Sequence, residues 1–146
     1  MIIIRLWHKD LIPYLPKNQL LGQWRECCCI AKNIADNGTP NHILINKIMD
    51  YPIEHFVVYT NIVLAEMENR GYKISRKSYL KFCENILCIN PCLDITANLL
   101  IKNNEVFPDW HNTRYLRQCL YNLQEKYDCG GISKEEWYNI RRNFYI

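Results

Sequence analysis

Along most of the chain, apolar residues recur at every third or fourth position, the spacing that lines one face of an α-helix. From Asn18 the pattern turns helical: Leu20, Trp24, Cys27 or Cys28 and Ala31 share a face, and Asn37-Gly38 supplies a stop. A shorter segment over 41–49 is predicted to start at an Asn41 cap and to end before Tyr51-Pro52. The clearest helix covers 52–70, with Phe56, Tyr59, Val63 and Met67 in one stripe and Gly71 closing it. Ser75 is placed to cap a segment carrying Tyr79, Phe82, Ile86 and Leu87. Asn90-Pro91 breaks that segment, and a helix over 93–101 is expected to resume. The span from about 110 to 127 carries Leu116, Leu120 and Leu123 and ends at Gly130-Gly131. Ser133-Lys-Glu-Glu136 has capping-box form and opens a last helix. No segment alternates strictly between apolar and polar residues. The pattern therefore predicts an all-α fold of five to seven helices.

Residues 1–17 read differently, as an irregular, Ile-rich arm in which Pro13 and Pro16 deny helix continuation. No repeat, low-complexity tract or linker divides the chain, so 1–146 is expected to form a single compact domain, long enough to bury a core without staples. The longest apolar runs reach about five residues, too short for a signal segment or a membrane span. A soluble, cytoplasmic protein with no membrane partner is expected. The net charge of +3 tilts only mildly toward polyanionic partners.

Eight cysteines are many for a chain expected in the cytosol, where disulfides are not expected, and raise a metal site first. Cys27-Cys-Cys29 lies within a helix, where neighbouring side chains face different ways. Cys83, Cys88 and Cys92, with Cys119 or Cys129 as a fourth ligand, lack the second paired knuckle usual in zinc sites. Ordinary thiols behaving as small hydrophobes are expected instead, with no metal and no organic cofactor.

Two stretches carry candidate chemistry. Gln19-Leu-Leu-Gly-Gln-Trp-Arg-Glu26 sets an acid and a base side by side, Arg25 and Glu26, on a helix near the N-terminus. Lys32 follows Arg25 by one heptad and extends a phosphate-facing stripe, whereas Trp24 falls on the apolar face. Trp137-Tyr-Asn-Ile-Arg-Arg-Asn-Phe-Tyr145 mixes aromatics with arginines, which suits a charged backbone bearing flat bases. Within it Trp137, Ile140 and Phe144 take core spacing, leaving Tyr138, Arg141, Arg142 and Tyr145 for contact with nucleic acid. Trp7 is expected in the core. His8 is expected as a cap and, lying close to the presumed site, as a second-line site residue.

The segment ending at Glu26 resembles the Tyr-Arg-Glu helix of the pyrimidine-dimer DNA glycosylases, the endonuclease V-like family. His42-Ile-Leu-Ile-Asn46, the helix end Glu68-Asn-Arg-Gly-Tyr72 and Trp137-Tyr138 fall in the corresponding order, while 79–127 matches poorly. The opening Arg5-Leu-Trp-His-Lys-Asp-Leu-Ile-Pro13 resembles a bacterial branch of that family. The resemblance implies an all-α protein of the endonuclease V type that kinks double-stranded DNA, flips out a base and cleaves the glycosidic bond of a damaged, pyrimidine-dimer-like nucleotide. In the family an N-terminal α-amine attacks the sugar C1′, and the glutamate assists an elimination that cuts the strand. Carried over, Glu26 is that glutamate, and Arg25 contacts phosphate or base. Tyr138, Arg141, Arg142 and Tyr145 belong to the DNA-facing tail, and His42 matches a family histidine.

The chain departs from the pattern at the nucleophile. The family exposes a threonine by removing the initiator Met. Counting back from Glu26, the matching position is Arg5, behind Met1-Ile-Ile-Ile4. Ile2 is large, so Met1 is expected to stay, its amine up to about 14 Å of extended chain beyond Arg5. A second basic position of the motif is Cys29 here. Three routes follow: Met1 folds back as the amine, a buried Lys9 replaces it, or Glu26 activates water and no strand is cut. Two further readings stand beside the enzyme, a non-catalytic nucleic-acid-binding member of the fold and a pocket for a small nucleotide or nucleoside.

Overall fold

The computed structural model describes residues 5–95 and 101–144. These form five α-helices, α1 (Lys17–Asn37), α2 (Ile53–Asn69), α3 (Arg76–Ile89), α4 (Thr113–Asp128) and α5 (Lys134–Phe144), with three short 3₁₀ segments and no strand among them. The all-α expectation holds. Met1 and Tyr145, both named above as site candidates, lie outside the described residues.

Local chemistry sets most helix ends. Gly38 takes the left-handed conformation (φ 76°), and its amide returns to the Ile34 carbonyl, closing α1. Ser75 accepts the Ser78 amide at the start of α3. Asn112 accepts the Tyr115 amide ahead of α4. At α5 the capping box is reciprocal: the Glu136 amide reaches Ser133 Oγ at 3.1 Å, and the Ser133 amide reaches Glu136 Oε1 at 3.2 Å. Glu136 Oε2 also accepts the Lys17 amide at 3.0 Å, tying the start of α1 to α5. Burial alone would raise the Glu136 carboxyl. The Lys17 and Ser133 hydrogen bonds together hold it below the ordinary glutamate range.

Two local expectations need correction. Asn41 does not cap a helix; it sits in the left-handed region (φ 57°), and the segment after it is a turn followed by a 3₁₀ helix over Asn46–Asp50. The cause is local side-chain bonding. Thr39 Oγ1 accepts the Asn41 amide, and Asn46 Oδ1 accepts the His42 amide, which draws the chain into a turn. The proline-rich arm is not wholly irregular, since Lys9–Tyr14 forms a 3₁₀ helix with His8 as its cap. The helix expected over 93–101 falls largely on undescribed residues, and its described flanks are non-helical.

The core joins three layers. α1 packs chiefly on α3 and next on α2, and Trp24, Phe56 and Phe82 meet where these helices converge. The segment 5–8 threads between α1, α2 and α4, with Leu6, Trp7 and His8 all buried. A second aromatic group, Phe107, Trp110, His111 and Tyr115, docks the loop before α4 onto Tyr59 and Tyr51 of the α2 side. Phe107 is fully buried at φ 48°, a conformation held by this packing and by the His55 Nδ1 bond to its amide.

Candidate active site

Helix geometry places Gln23, Arg25 and Glu26 on α1 so that Gln23 faces inward, Arg25 faces solvent and Glu26 lies at the boundary. The segment 5–7 runs beside this turn in extended form. Gln23 binds it as a neighbouring strand would: Nε2 donates to the Arg5 carbonyl at 3.0 Å, and Oε1 accepts the Trp7 amide at 2.8 Å. Tyr59 from α2 completes the clamp, its hydroxyl donating to the Trp7 carbonyl at 2.6 Å and lying 3.0 Å from Gln23 Oε1.

The clamp aims the Arg5 amide at Glu26. Oε2 of Glu26 accepts this amide at 3.3 Å and Gln23 Nε2 at 3.4 Å. Both hydrogen bonds of Glu26 among the described residues therefore fall on one oxygen. Burial raises the Glu26 carboxyl above the ordinary value of 4.5, against the opposing pull of the Arg5 amide, Arg25 and Lys126. A half-buried carboxylate flanked by three favourable charges or dipoles suits proton transfer or stabilisation of a cationic transition state.

The Arg5 side chain turns away from this carboxylate. Its guanidinium lies 5.8 Å from the Trp7 ring and 6.0 Å from the Tyr115 ring, with Nη1 3.9 Å from Cys119 Sγ. Tyr115 donates in turn to the Leu6 carbonyl, and burial pushes its hydroxyl pKa up. Gly22, one turn before Glu26, opens the same surface: an added Cβ would have Arg25 Nη2 as its nearest neighbour, at 3.9 Å.

The named candidates separate into groups. Glu26, Arg5 and Arg25 come together, and Lys32 is exposed two turns along α1 from Arg25. His8 is buried; its Nδ1 accepts the Asp10 amide at 3.1 Å, and its ring stacks on His111 at 5.0 Å. His42 Nδ1 accepts the Leu44 amide at the turn before Asn46–Asp50. Tyr138, Arg141 and Arg142 are exposed on α5, which docks near Lys17 at the opposite end of α1 from Gly38. In α5 Ile140 is fully buried, while Trp137 and Phe144 are half-buried against Tyr127 and Tyr14. Lys9 is half-buried and its pKa is lowered by burial, but Nζ lies 3.5 Å from the His111 carbonyl.

Tyr59 reads from the sequence only as part of a core stripe, and no sequence signal marks Gln23, Tyr115 or Lys126 as site residues. Lys126 lies in the last turn of α4, about a hundred residues from Glu26, so no local pattern marks it. Among the described residues, no three His, Cys, Asp or Glu side chains converge as a metal site would require. Cys83, Cys88 and Cys92 are free thiols on and just after α3.

A family model described as pyrimidine dimer DNA glycosylase matches residues 4–80, which include the 5–7 segment, the whole of α1 with Glu26, and α2. The chain belongs to the pyrimidine dimer DNA glycosylase family. The match ends within α3, so the part that builds the carboxylate is the family part, and α4 and α5 lie beyond it. No curated protein and no solved structure matches the chain. No helix among the described residues is long and apolar enough to cross a membrane.

Proposed function

We propose that this family member excises a damaged pyrimidine from duplex DNA, with Glu26 as the group that drives cleavage of the glycosidic bond. The observation that carries the reading is the half-buried Glu26 carboxylate of raised pKa, fixed against the backbone of residue 5. Its two hydrogen bonds fall on Oε2, so Oε1 is the oxygen offered to a water or to the sugar. In a hydrolytic step Glu26 takes a proton from water, the water oxygen bonds to C1′, and the base leaves with the electrons of its C1′–N bond. The same negative charge stabilises the cationic sugar as that bond stretches.

Hydrolysis is favoured by the state of the Arg5 nitrogen. It stands where a nucleophile would need to be, yet it is an amide bonded to Ile4, and its lone pair is delocalised into the peptide. Strand cutting requires an amine at the same place, from Met1 or another source. Lys9 Nζ is engaged at the His111 carbonyl rather than at Glu26. Arg25 and Lys32, with Tyr138, Arg141 and Arg142 on α5, are the proposed contacts to DNA, and His8 acts through the packing of the 5–8 segment.

Ultraviolet-irradiated plasmid tests the reading. Native protein is expected to create abasic sites, revealed as nicks after alkali, and Glu26→Gln to create none. Equal abasic-site formation by the two proteins would remove Glu26 from the chemistry. Borohydride trapping decides the second step: the hydrolytic route leaves no protein–DNA adduct, whereas an adduct mapped by mass spectrometry would identify the amine. If native protein binds duplex DNA with steep salt dependence but never excises, the non-catalytic reading replaces this one. Stabilisation by mononucleotides alone would favour the small-ligand reading.

A further inference from the structure

The turn ahead of the 3₁₀ segment Asn46–Asp50 presents its apolar side chains outward. Ile43 is 86% exposed and Leu44 40%, the two lying side by side at the tip. Single exposed apolar residues are ordinary on protein surfaces. This pair differs because side-chain hydrogen bonds shape the backbone beneath it. Asn41 adopts φ 57° with its amide bonded to Thr39 Oγ1 at 3.2 Å. The His42 amide reaches Asn46 Oδ1 at 3.0 Å, and the Leu44 amide reaches His42 Nδ1 at 3.2 Å. Ile45 and Ile48, both buried, anchor the turn from below. Collapse of the turn over these side chains would break three side-chain hydrogen bonds.

Behind the tip lies a cleft of about 340 Å³, bounded by Ile43, Leu44, Lys47, Trp110, Arg114 and Tyr115 among others. Its lining holds two cations and no carboxylate. The same Tyr115 ring faces the Arg5 guanidinium, whose own amide is bonded to Glu26. Tyr115 thus lies between the cleft that it lines and the segment whose Arg5 amide bonds Glu26. An apolar point backed by positive charge matches a DNA duplex: phosphates meet the cations while the aliphatic groups enter between bases.

We infer that Ile43 and Leu44 form a wedge that enters a base step of duplex DNA, with Lys47 and Arg114 holding the adjacent phosphates. The inference rests on the DNA-directed reading of the Glu26 site and assigns to this turn the unstacking that a base-removing enzyme requires. Inserting the pair separates neighbouring bases and kinks the helix, which brings a damaged nucleotide out of the stack. His42 then has a defined part as a positioning residue, since its ring nitrogen fixes the Leu44 amide at the tip.

The test uses a duplex bearing one cyclobutane thymine dimer with 2-aminopurine beside it, whose fluorescence rises on unstacking. Measured in the Glu26→Gln background to keep the DNA intact, binding is expected to raise the fluorescence. Adding Ile43→Ala and Leu44→Ala is expected to abolish the rise at saturating protein, and Ile43→Phe to retain it. Ile43 is largely exposed and Leu44 partly so, so the melting temperature should fall only slightly. Lys47→Ser with Arg114→Ser is expected to lower the salt slope by about 2. Undiminished fluorescence in the double-alanine protein overturns the wedge while leaving excision by the native protein untouched. Loss of self-association alone, seen by sedimentation, assigns the tip to a protein contact and also overturns it. Failure of the native protein to excise, with unstacking intact, would instead refute the reading of Glu26.

Discussion

Replacing Gln23 by leucine removes the amide that holds residues 5 and 7 and leaves an apolar side chain one bond shorter. The Arg5 carbonyl and the Trp7 amide lose their side-chain partner, while the Tyr59 hydroxyl and Glu26 Oε2 each lose one of two contacts. The first two matter most, because Gln23 is 1% exposed and its bond to the Trp7 amide is buried. A buried polar group left without a partner costs about 1–3 kcal/mol, so two of them imply a loss of roughly 2–6 kcal/mol. That is a large share of the ~5–15 kcal/mol by which a domain of this size is stable. Urea unfolding measures it directly. Activity should fall by more than unfolding explains, since the Arg5 amide no longer fixes Glu26, and a displacement near 1 Å can cost about 10²-fold in rate. Assays at low temperature, where the variant stays folded, separate the two effects. A stability change below about 1 kcal/mol with unchanged excision would refute the clamp.

Further consequences follow from the titrating groups and from α1. His111 is buried, and burial with the nearby His8 and Lys9 holds its pKa down to about 2, so it stays neutral in the folded protein. The unfolded chain binds that proton near 6.5, and stability is lost as pH falls below this value, by about 1.4 kcal/mol at pH 5.5 for this histidine. His8, also lowered by burial, adds to the same trend, so urea midpoints at pH 7.5 and 5.5 should drop on acidification; a flat profile would contradict it. Glu26 works in the other direction: its raised pKa weakens the fold as pH climbs from 4.5 to the folded value. Gly22→Ala places a methyl group in ordinary van der Waals contact within a helix, and thermal melting should show a gain of about 0.5–1 kcal/mol. A loss there would mean that the added Cβ displaces Arg25.

Where structure depends on a few adjacent residues, the chain is readable. Gly38 after α1, Ser75 before α3 and the Ser133–Glu136 box all appear where the helical pattern predicts them. The stripe Phe56, Tyr59, Val63 and Met67 is buried throughout, although Leu87, expected beside Phe82 and Ile86, is 42% exposed. Asn41 misled because a cap and a left-handed turn favour the same residue, and only the side chains of Thr39 and Asn46 decide between them. Glu26 is legible through its motif, but its environment is not. Gln23 reads as an unremarkable polar residue because its partners are backbone atoms 16 and 18 positions away. The pairing of Tyr115 with Arg5 and Leu6 spans still longer separations, which no periodicity records. Eight thiols, the loudest compositional signal, are all free and scattered over several helices and loops.

If the Glu26 carboxylate breaks the glycosidic bond, as proposed, its titration should govern a single-turnover pH profile. Excision from dimer-containing duplex by native protein should fall on the acid side with an apparent pKa above 4.5, because burial raises that carboxyl and only its ionised form accepts a proton. Glu26→Gln should be slower by at least about 10²-fold and should lack that limb. A native profile with no acid limb, or a Glu26→Gln protein that keeps both rate and limb, would contradict the account.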